Sequence, residues 1–314
     1  MKIYPVLIAL YCLLAGCSPL SAQGAAPTIT PGGVVNAADY TPEVAPGIII
    51  AVFGNSLAAK VSSAAVTPLP TVLDGTAVEV NGQAIPLFFV SPGQINAQMP
   101  FGVSGQVQVR VSTAAGVSAA APVTVAASAP RLFTKTMDGR GEPILCHSAD
   151  WSLVSATSPV RPGEVLILFL TGLGAVTPAI PAGRAGGDNG PYGPLNQLPP
   201  GAVTVAFGGR QMAILFAGLA PTFVGLYQVN IQAPADMRRG TFELVASTKD
   251  GSSQAGVLAA AEGAARFTAD LGGGVTMYFV PINSGEFMMG CSPGDTECSA
   301  NESPVHLVRI TKAF

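Results

Sequence analysis

The sequence predicts an all-β protein of two tandem immunoglobulin-like β-sandwich domains, followed by the beginning of a different domain. Of the 314 residues, 49% are hydrophobic and only 11% are charged, so a large apolar surface is available for burial. The 37 glycines and 27 prolines interrupt the chain too often for long helices. Short runs of Val, Ile and Leu between them are typical of strands. One arrangement of strands and turns also occurs twice.

The strongest sign of this duplication is a polar strand pattern. Residues 93–100 read GQINAQMP, and residues 227–234 read YQVNIQAP. Glutamine, asparagine, glutamine and proline recur at the same spacing in both. The matched pairs are Gln94 and Gln228, Asn96 and Asn230, Gln98 and Gln232, and Pro100 and Pro234. This shared spacing predicts two copies of one structural unit.

The turns around the polar strand recur as well. A hairpin is predicted ahead of it in each copy, with Asn81-Gly82 or Gly208-Gly209 at the tip. Both dipeptides tolerate the positive φ that a type I′ turn requires. The hairpin strands expected are 76–80 and 83–89 in the first copy, and 203–207 and 210–216 in the second. Each copy then closes with a glycine-led strand, 105–113 or 240–248. We expect the two sandwiches to occupy residues 33–127 and 146–258.

The residues that carry the repeat resemble an extracellular domain family common in Acidobacteria, the Solibacter uncharacterised C-terminal domain. The matching segments are VNAA at 35–38, APG at 45–47, GQIN at 93–96, TGLG at 171–174, FAGL at 216–219 and GLYQVN at 225–230. The resemblance implies a secreted, β-rich module that is appended to other extracellular domains. It implies no reaction, because that family has no assigned activity.

The first 22 residues have the plan of a secretory signal peptide: a positive charge at Lys2, a short apolar run and then small residues. The tetrapeptide 14–17, LAGC, resembles the lipobox of bacterial lipoproteins, which implies lipid attachment at Cys17. The other interpretation is ordinary cleavage near Ala22, with Cys17 removed. Both interpretations predict export, either as an outer-membrane lipoprotein or as a secreted protein.

The repeated polar strand is a candidate binding surface. Side chains alternate along a strand, so Gln94, Asn96 and Gln98 share one face, and Gln228, Asn230 and Gln232 do so in the second copy. Amides in a row could hold a carbohydrate. Alternatively they could satisfy main-chain groups at a corner of the sandwich or between its sheets. We favour the structural interpretation.

The sequence gives little support for a nucleic-acid partner, a metal site or a dinucleotide cofactor. The only adjacent basic pair, Arg238-Arg239, has no flanking aromatic residues, which argues against a nucleic-acid partner. His147 lies near Cys146 and Asp150, but no second histidine is in range, so we expect a loop histidine and no metal site. The glycines at 172 and 174 precede Ala-Val-Thr-Pro, which does not open the helix of a dinucleotide site. We therefore predict no cofactor.

After a Gly/Ala-rich linker at 259–274, the composition changes. FVPINSGEFMMG at 279–290, followed by ESPVHLV at 302–308, resembles the opening of the formylglycine-generating enzyme family, the sulfatase-modifying factors. The resemblance implies a mixed α+β, lectin-like domain, which we expect to be truncated over 277–314, without the catalytic cysteines. Cys291 and Cys298 are instead expected to form a disulfide, because export places them in an oxidising compartment.

These observations predict an exported, non-catalytic binding or spacer protein of the cell envelope or extracellular space. Its partner would be an extracellular carbohydrate or protein, with attachment to a membrane through a lipid anchor as a further option. The alternative is the N-terminal portion of a formylglycine-generating enzyme-like protein whose catalytic part is missing from this chain. A third option is a structural component of the cell envelope.

Overall fold

The computed structural model describes residues 24–187, 195–263, 267–270, 276–279, 285–289 and 306–311, and every regular element in these ranges is a β-strand. The all-β prediction is therefore confirmed. No helix long and apolar enough to cross a membrane is found in the same ranges. The signal peptide and Cys17, and likewise Cys291 and Cys298, lie outside the described residues.

The first sandwich consists of two antiparallel sheets that enclose one apolar core. Its strands are β1 (Thr28–Asn36), β2 (Ile49–Asn55), β3 (Ser62–Ser63), β4 (Ala77–Val80), β5 (Gln83–Ala84), β6 (Leu87–Val90), β7 (Gln94–Gln98), β8 (Gly105–Thr113), β9 (Gly116–Val117) and β10 (Ala121–Val125). One sheet has the order β1-β2-β7-β6-β3, and the other has the order β10-β8-β4-β5 with β9 paired to β8. Val52 and Ile95 from one sheet and Val78 and Val109 from the other are fully buried.

The second sandwich repeats this plan. Its strands are β11 (Arg131–Leu132), β12 (Leu145–His147), β13 (Val165–Thr171), β14 (Thr204–Phe207), β15 (Arg210–Gln211), β16 (Ala213–Leu219), β17 (Tyr227–Gln232), β18 (Gly240–Thr248), β19 (Gly251–Ser252) and β20 (Leu258–Ala261). One sheet has the order β11-β13-β17-β16 with β12 on β13, and the other has the order β15-β14-β18-β19 with β20 on β18. The domain boundaries expected from the sequence stay predictions.

The duplication extends to irregular features. The pairing of β6 with β7 shifts register between Leu87 and Phe89, and the pairing of β16 with β17 shifts between Ile214 and Phe216. Both shifts precede the residue opposite the asparagine of the polar strand, Asn96 or Asn230. A bulge bends the strand and increases its twist. Its recurrence shows that the two copies share one backbone design.

The hairpin tips have the expected conformation. Asn81 and Gly82 have φ values of 51° and 82°, and Gly208 and Gly209 have 56° and 78°. These are the positive angles of a type I′ turn.

The strand that follows each tip is shorter than predicted: residues 83–89 and 210–216 each divide into two strands that belong to opposite sheets. At Pro86 the missing N–H favours leaving the first sheet. In the second copy the change occurs at Met212, whose side chain is buried.

Two further strand pairs are described near the C-terminus. Strand β21 (Phe267–Asp270) pairs with β22 (Thr276–Phe279), and β23 (Gly285–Met289) pairs with β24 (His306–Ile310). All four are antiparallel neighbours in two-stranded sheets. The resemblance of this part to sulfatase-modifying factors stays a prediction.

Candidate functional site

The polar strands β7 and β17 present their amides as the alternation predicts. Gln94 and Asn96 are half-buried on one face, while Ile95 is fully buried on the other. The Nε2 of Gln94 donates to Oδ1 of Asn96 at 2.8 Å, and Gln228 donates to Asn230 in the same way at 2.8 Å. Each copy therefore uses part of its amide hydrogen-bonding capacity within the strand itself.

The third amide of each strand bonds to the Pro-Gly turn that opens its copy. Nε2 of Gln98 donates to the carbonyl oxygen of Gly47 at 3.2 Å, and Nε2 of Gln232 donates to that of Gly163 at 3.2 Å. Both turn glycines have positive φ, 77° and 75°. The geometry supports a structural role for these two amides. Whether the strand also binds a ligand stays a hypothesis.

Gln98 has an additional partner that Gln232 lacks among the described residues. Its Oε1 accepts from the main-chain N–H of Gly183, in a loop of the second sandwich, at 2.6 Å. The next contact is main-chain: the N–H of Leu69 donates to the Gly183 oxygen at 2.8 Å. Gln98 is 1% exposed, whereas Gln232 is exposed. The first polar strand thus ends in the junction between the sandwiches.

A buried arginine joins the sandwiches at a second place. Arg131, at the start of β11, has its Nε 2.7 Å from Oδ2 of Asp39 and its Nη2 3.4 Å from Oε2 of Glu43. Its Nη1 also donates to the Ser252 carbonyl at 3.2 Å. A hydrogen bond from Thr41 is the largest influence that lowers the pKa of Glu43, and Arg131 adds to it. The side chain of Asp39 is only 3% exposed, so the guanidinium neutralises a buried charge.

His147 lies at the end of β12, where it is 2% exposed, so the expectation of a loop histidine is wrong. Its Nδ1 lies 2.9 Å from Oε2 of Glu164, and because a carboxylate accepts, Nδ1 donates in this contact. Its Nε2 lies 3.1 Å from the Ser158 hydroxyl and 3.2 Å from the Ser158 carbonyl oxygen. The other oxygen of Glu164 accepts from the main-chain N–H of Arg161. His147 and Glu164 together hold the loop 155–161.

Serine, imidazole and carboxylate stand in the same order in enzymes that activate a serine nucleophile. Here the imidazole Nε2 faces two atoms of the same serine, its hydroxyl and its main-chain oxygen. Ser158 also exchanges two main-chain hydrogen bonds with Ser155, at 2.9 and 3.2 Å, which closes a tight turn. These contacts position the loop, and we assign them no reaction.

The loop 155–161 forms one wall of a charged groove with a volume of about 580 Å³, which is in the range of small-molecule sites. We use the name charged groove for the cleft whose polar lining is Thr157, Ser158, Arg161, Arg239, Thr241 and Glu262. Arg161 Nε lies 4.0 Å from Glu262 Oε2, and both side chains are more than half exposed. Arg239 is exposed, and its side chain makes no hydrogen bond or ion pair within the part of the chain that the structure describes.

Strand pairing explains why these three charges meet. Val160 forms a parallel bridge with Ala261, and Ala261 pairs with Gly240 on its other side. One position further along, just past these paired residues, Arg161, Glu262 and Arg239 therefore lie side by side, and we call the three residues the charged row. Glu262 follows β20, Arg239 precedes β18, and Arg161 follows the bridge residue Val160. Neighbouring strands lie about 4.8 Å apart, which places the α-carbons of the two arginines about 10 Å apart with a carboxylate between them.

The first sandwich has the same row without the charges. Val44 forms the parallel bridge with Val125, and Val125 pairs with Gly105. The next positions are Ala45, Ala126 and Ser104. Ala45 is fully buried, whereas the side chain of Arg161 is 61% exposed. Since the first copy folds without these charges, the fold does not require them.

Cys146, in β12, is a buried free thiol, and burial raises its pKa. A buried free cysteine behaves as a small apolar residue. Among the described residues, no group of three or more His, Cys, Asp or Glu side chains is arranged to hold a metal ion.

Sequence reasoning missed Arg131, Glu164 and the charged row. The charged row had a usable signal: once the copies are aligned on their Pro-Gly turns, Arg161 stands where the first copy has Ala45. Arg131 gave no signal in the sequence, because its partner Asp39 is distant along the chain and an isolated basic residue is common. Glu164 had none either, since a buried histidine cannot be recognised before its neighbours are known.

No family model and no curated protein matches this chain. Among solved structures, it is similar to the surface protein SGBP-B of the Bacteroides ovatus mixed-linkage glucan utilization locus, in complex with a mixed-linkage heptasaccharide. That match has 13% identity and a TM-score of 0.31 over 88% of this chain and 53% of the other. SGBP-B from a Bacteroides uniformis xyloglucan utilization locus matches at 12% identity and a TM-score of 0.23, over 88% and 60%. The chain thus spans less than two thirds of either protein, and likenesses this weak carry no functional argument.

Proposed function

We propose that this chain is an exported, non-catalytic β-sandwich protein of the cell envelope or extracellular space, which acts as a spacer and binding unit. The observation that carries the proposal is the junction between the sandwiches. Domains in one chain ordinarily move relative to each other unless their interface is large and hydrophobic, and satisfied buried polar contacts add rigidity to such an interface. Here buried polar contacts at two separate places, around Arg131 and around Gln98, oppose such motion.

The two places act together because they constrain different parts of the interface. Arg131, at the start of β11, ties the second sandwich to the first, and Ser128, between the two sandwiches, contacts the Thr248 hydroxyl at 2.7 Å and donates to Asp250 at 2.9 Å. At the other place, Gly183 is hydrogen-bonded to Gln98 and Leu69 of the first sandwich, and Gly225 lies against the Pro-Gly turn, where an added Cβ would come within 3.2 Å of the Gly47 oxygen. Phe101 of the first sandwich also packs against the core of the second. A body fixed in this way would hold whatever it binds at a constant distance and orientation.

Residual dipolar couplings of the backbone amides in the full chain test the spacer role. We expect the couplings of both sandwiches to fit a single alignment tensor. The double variant Arg131→Met/Gln98→Ala should require two tensors, because it removes contacts at both places. Two tensors of different magnitude in the unaltered chain would show independent sandwiches and contradict the proposal.

The export part of the proposal rests on the leader sequence. We propose lipid attachment at Cys17, with the mature chain displayed on the outer side of a bacterial membrane. Expression of the full chain in a Gram-negative host, followed by mass spectrometry of the mature N-terminus, tests this. A diacylglyceryl mass on Cys17, absent from Cys17→Ala, is the expected result. A mature peptide that starts at Gln23 would exclude the anchor and leave secretion.

A further inference from the structure

We infer that the charged groove of the second sandwich binds a carboxylate-bearing oligosaccharide. This inference deepens the proposed function, on which it rests, by naming the site and the ligand class of the binding unit. It starts from the charged row, in which Arg161 and Arg239 flank Glu262.

The arginines specify the charge of the ligand. A guanidinium presents a planar fork of donors that matches a carboxylate. Arg239 has its side chain uncommitted among the residues that the structure describes, and Arg161 is only loosely paired with Glu262 at 4.0 Å. With two cations and one anion, the row carries a net positive charge. An anionic ligand is therefore favoured over a neutral or cationic one.

The carboxylate between the arginines specifies the form of the ligand. A compact anion centred on the row would meet Glu262 and be repelled. A chain whose negative charges are spaced apart avoids this, provided that its middle part can donate hydrogen bonds to Glu262. Sugar hydroxyls do so, and the Thr241 hydroxyl on the groove wall offers a further donor and acceptor to sugar rings. The hydroxyls of Thr157 and Ser158 already contact Ser155 and His147, and they keep acceptor capacity. An acidic oligosaccharide meets all of these requirements.

The groove wall is positioned before any ligand arrives. His147 is buried, and its two ring nitrogens face Glu164 and Ser158. Glu164 in turn accepts from the N–H of Arg161, so the segment that carries Arg161 is fixed at several points. Preorganisation of this kind reduces the entropy lost on binding. At the corresponding row the first sandwich has Ala45, Ala126 and Ser104, which offer no charge to a ligand.

Titration of the full chain with trigalacturonate, followed by amide NMR shifts, tests the inference. Maltotriose serves as the neutral sugar, and a capped tri-glutamate peptide serves as the non-sugar with the same number of carboxylates. We expect trigalacturonate to bind with a Kd on the order of 1 mM or below, with shifts confined to residues near 156–161, 239–241 and 260–262. Added salt should weaken the binding, because the arginines are exposed.

Matched variants assign the binding to the groove. Arg161→Met and Arg239→Met keep most of the apolar stem, and each should weaken trigalacturonate binding about tenfold through loss of a charge-assisted contact. Arg210→Met removes an exposed arginine elsewhere on the second sandwich and should leave the affinity unchanged.

Several outcomes would overturn the inference: no binding of trigalacturonate, equal binding of maltotriose or tri-glutamate, or shifts centred on the first sandwich. None of them alters the single alignment tensor that the spacer role predicts, so failure of the inference is distinguishable from failure of the proposed function.

Discussion

The two sandwiches have one backbone design but different surroundings, and the difference separates what the fold needs from what it has acquired. Both copies keep the Pro-Gly turn, the amide pair, the bulge and the type I′ tip. These recurring features are requirements of the fold. Two features have no counterpart in the other copy: the contact that Gln98 of the first sandwich makes across the junction, and the charged groove of the second sandwich. These two features support the functional proposals.

The same position serves two purposes in the two copies. Gln98 and Gln232 make the same hydrogen bond to a turn glycine, at the same distance of 3.2 Å. In the first copy the remaining amide oxygen is used by the second sandwich, whereas in the second copy the side chain stays exposed. Duplication therefore leaves spare hydrogen-bonding capacity on one copy, which a neighbouring element can occupy without a change of fold.

The largest effect is expected at the buried ion pair of the junction. Arg131→Met leaves Asp39 charged and buried without its partner, which should lower the free energy of unfolding by about 3–5 kcal/mol. Arg210→Met removes an exposed pair with Asp236 within the second sandwich and should cost less than about 1 kcal/mol. Denaturant unfolding of both variants measures the comparison. Similar losses of unfolding free energy in the two variants would show that the buried pair stabilises the protein no more than the exposed pair does.

A feature of the second copy alone gives the next largest effect. Tyr227 is fully buried, and its hydroxyl donates to the Gly174 carbonyl; the first copy has Gly93 at this position. Tyr227→Phe leaves that carbonyl unpaired and should cost about 1–3 kcal/mol.

The same tyrosine should produce a pH dependence, because burial raises its pKa in the folded state. Above pH of about 10 the unfolded chain loses the phenolic proton while the folded chain keeps it, so stability falls as pH rises. The slope relative to Tyr227→Phe approaches about 1.4 kcal/mol per pH unit well above pH 10, so the loss between pH 9 and pH 11 should total about 1.4 kcal/mol. Denaturant unfolding of both proteins at pH 9 to 11 measures it, and parallel curves would contradict the assignment.

The smallest effect should be equal in the two copies. Ser118 Oγ accepts from the N–H of Val111 at 2.9 Å, and Ser253 Oγ accepts from that of Ala246 at 3.1 Å. Both contacts lie at the same place in the repeated design. Ser118→Ala and Ser253→Ala should each cost about 1 kcal/mol, as measured by thermal unfolding. A large difference between them would mean that the copies are less alike than their hydrogen bonds indicate.

Local sequence signals predicted the parts of the fold that depend on neighbouring residues. The tips at Asn81-Gly82 and Gly208-Gly209 and the bounds of β8 and β18 were predictable, because turn residues and alternation act over a few positions. The division of the strands after the tips was missed, since a change of sheet at Pro86 leaves the apolar alternation intact.

The site was less predictable than the fold. The polar strand residues were identified correctly as a face, but the partner of Gln98 is Gly183, which belongs to the other sandwich. The charged row joins residues from three separate segments of the chain, and only the pairing of the residues beside them brings them together. Contacts of this kind depend on how whole strands and loops pack against each other. A short stretch of sequence does not contain that information.

The central claim is that Gln98 forms a hydrogen bond to the other sandwich across the junction, whereas its counterpart Gln232 does not. Hydrogen exchange of the Gly183 amide tests it most directly, because that N–H donates to Gln98 Oε1. We predict protection of the Gly183 amide in the unaltered chain and in Gln232→Ala, and at least a tenfold faster exchange in Gln98→Ala. Rapid exchange in the unaltered chain, or equal protection in the two variants, would contradict the account.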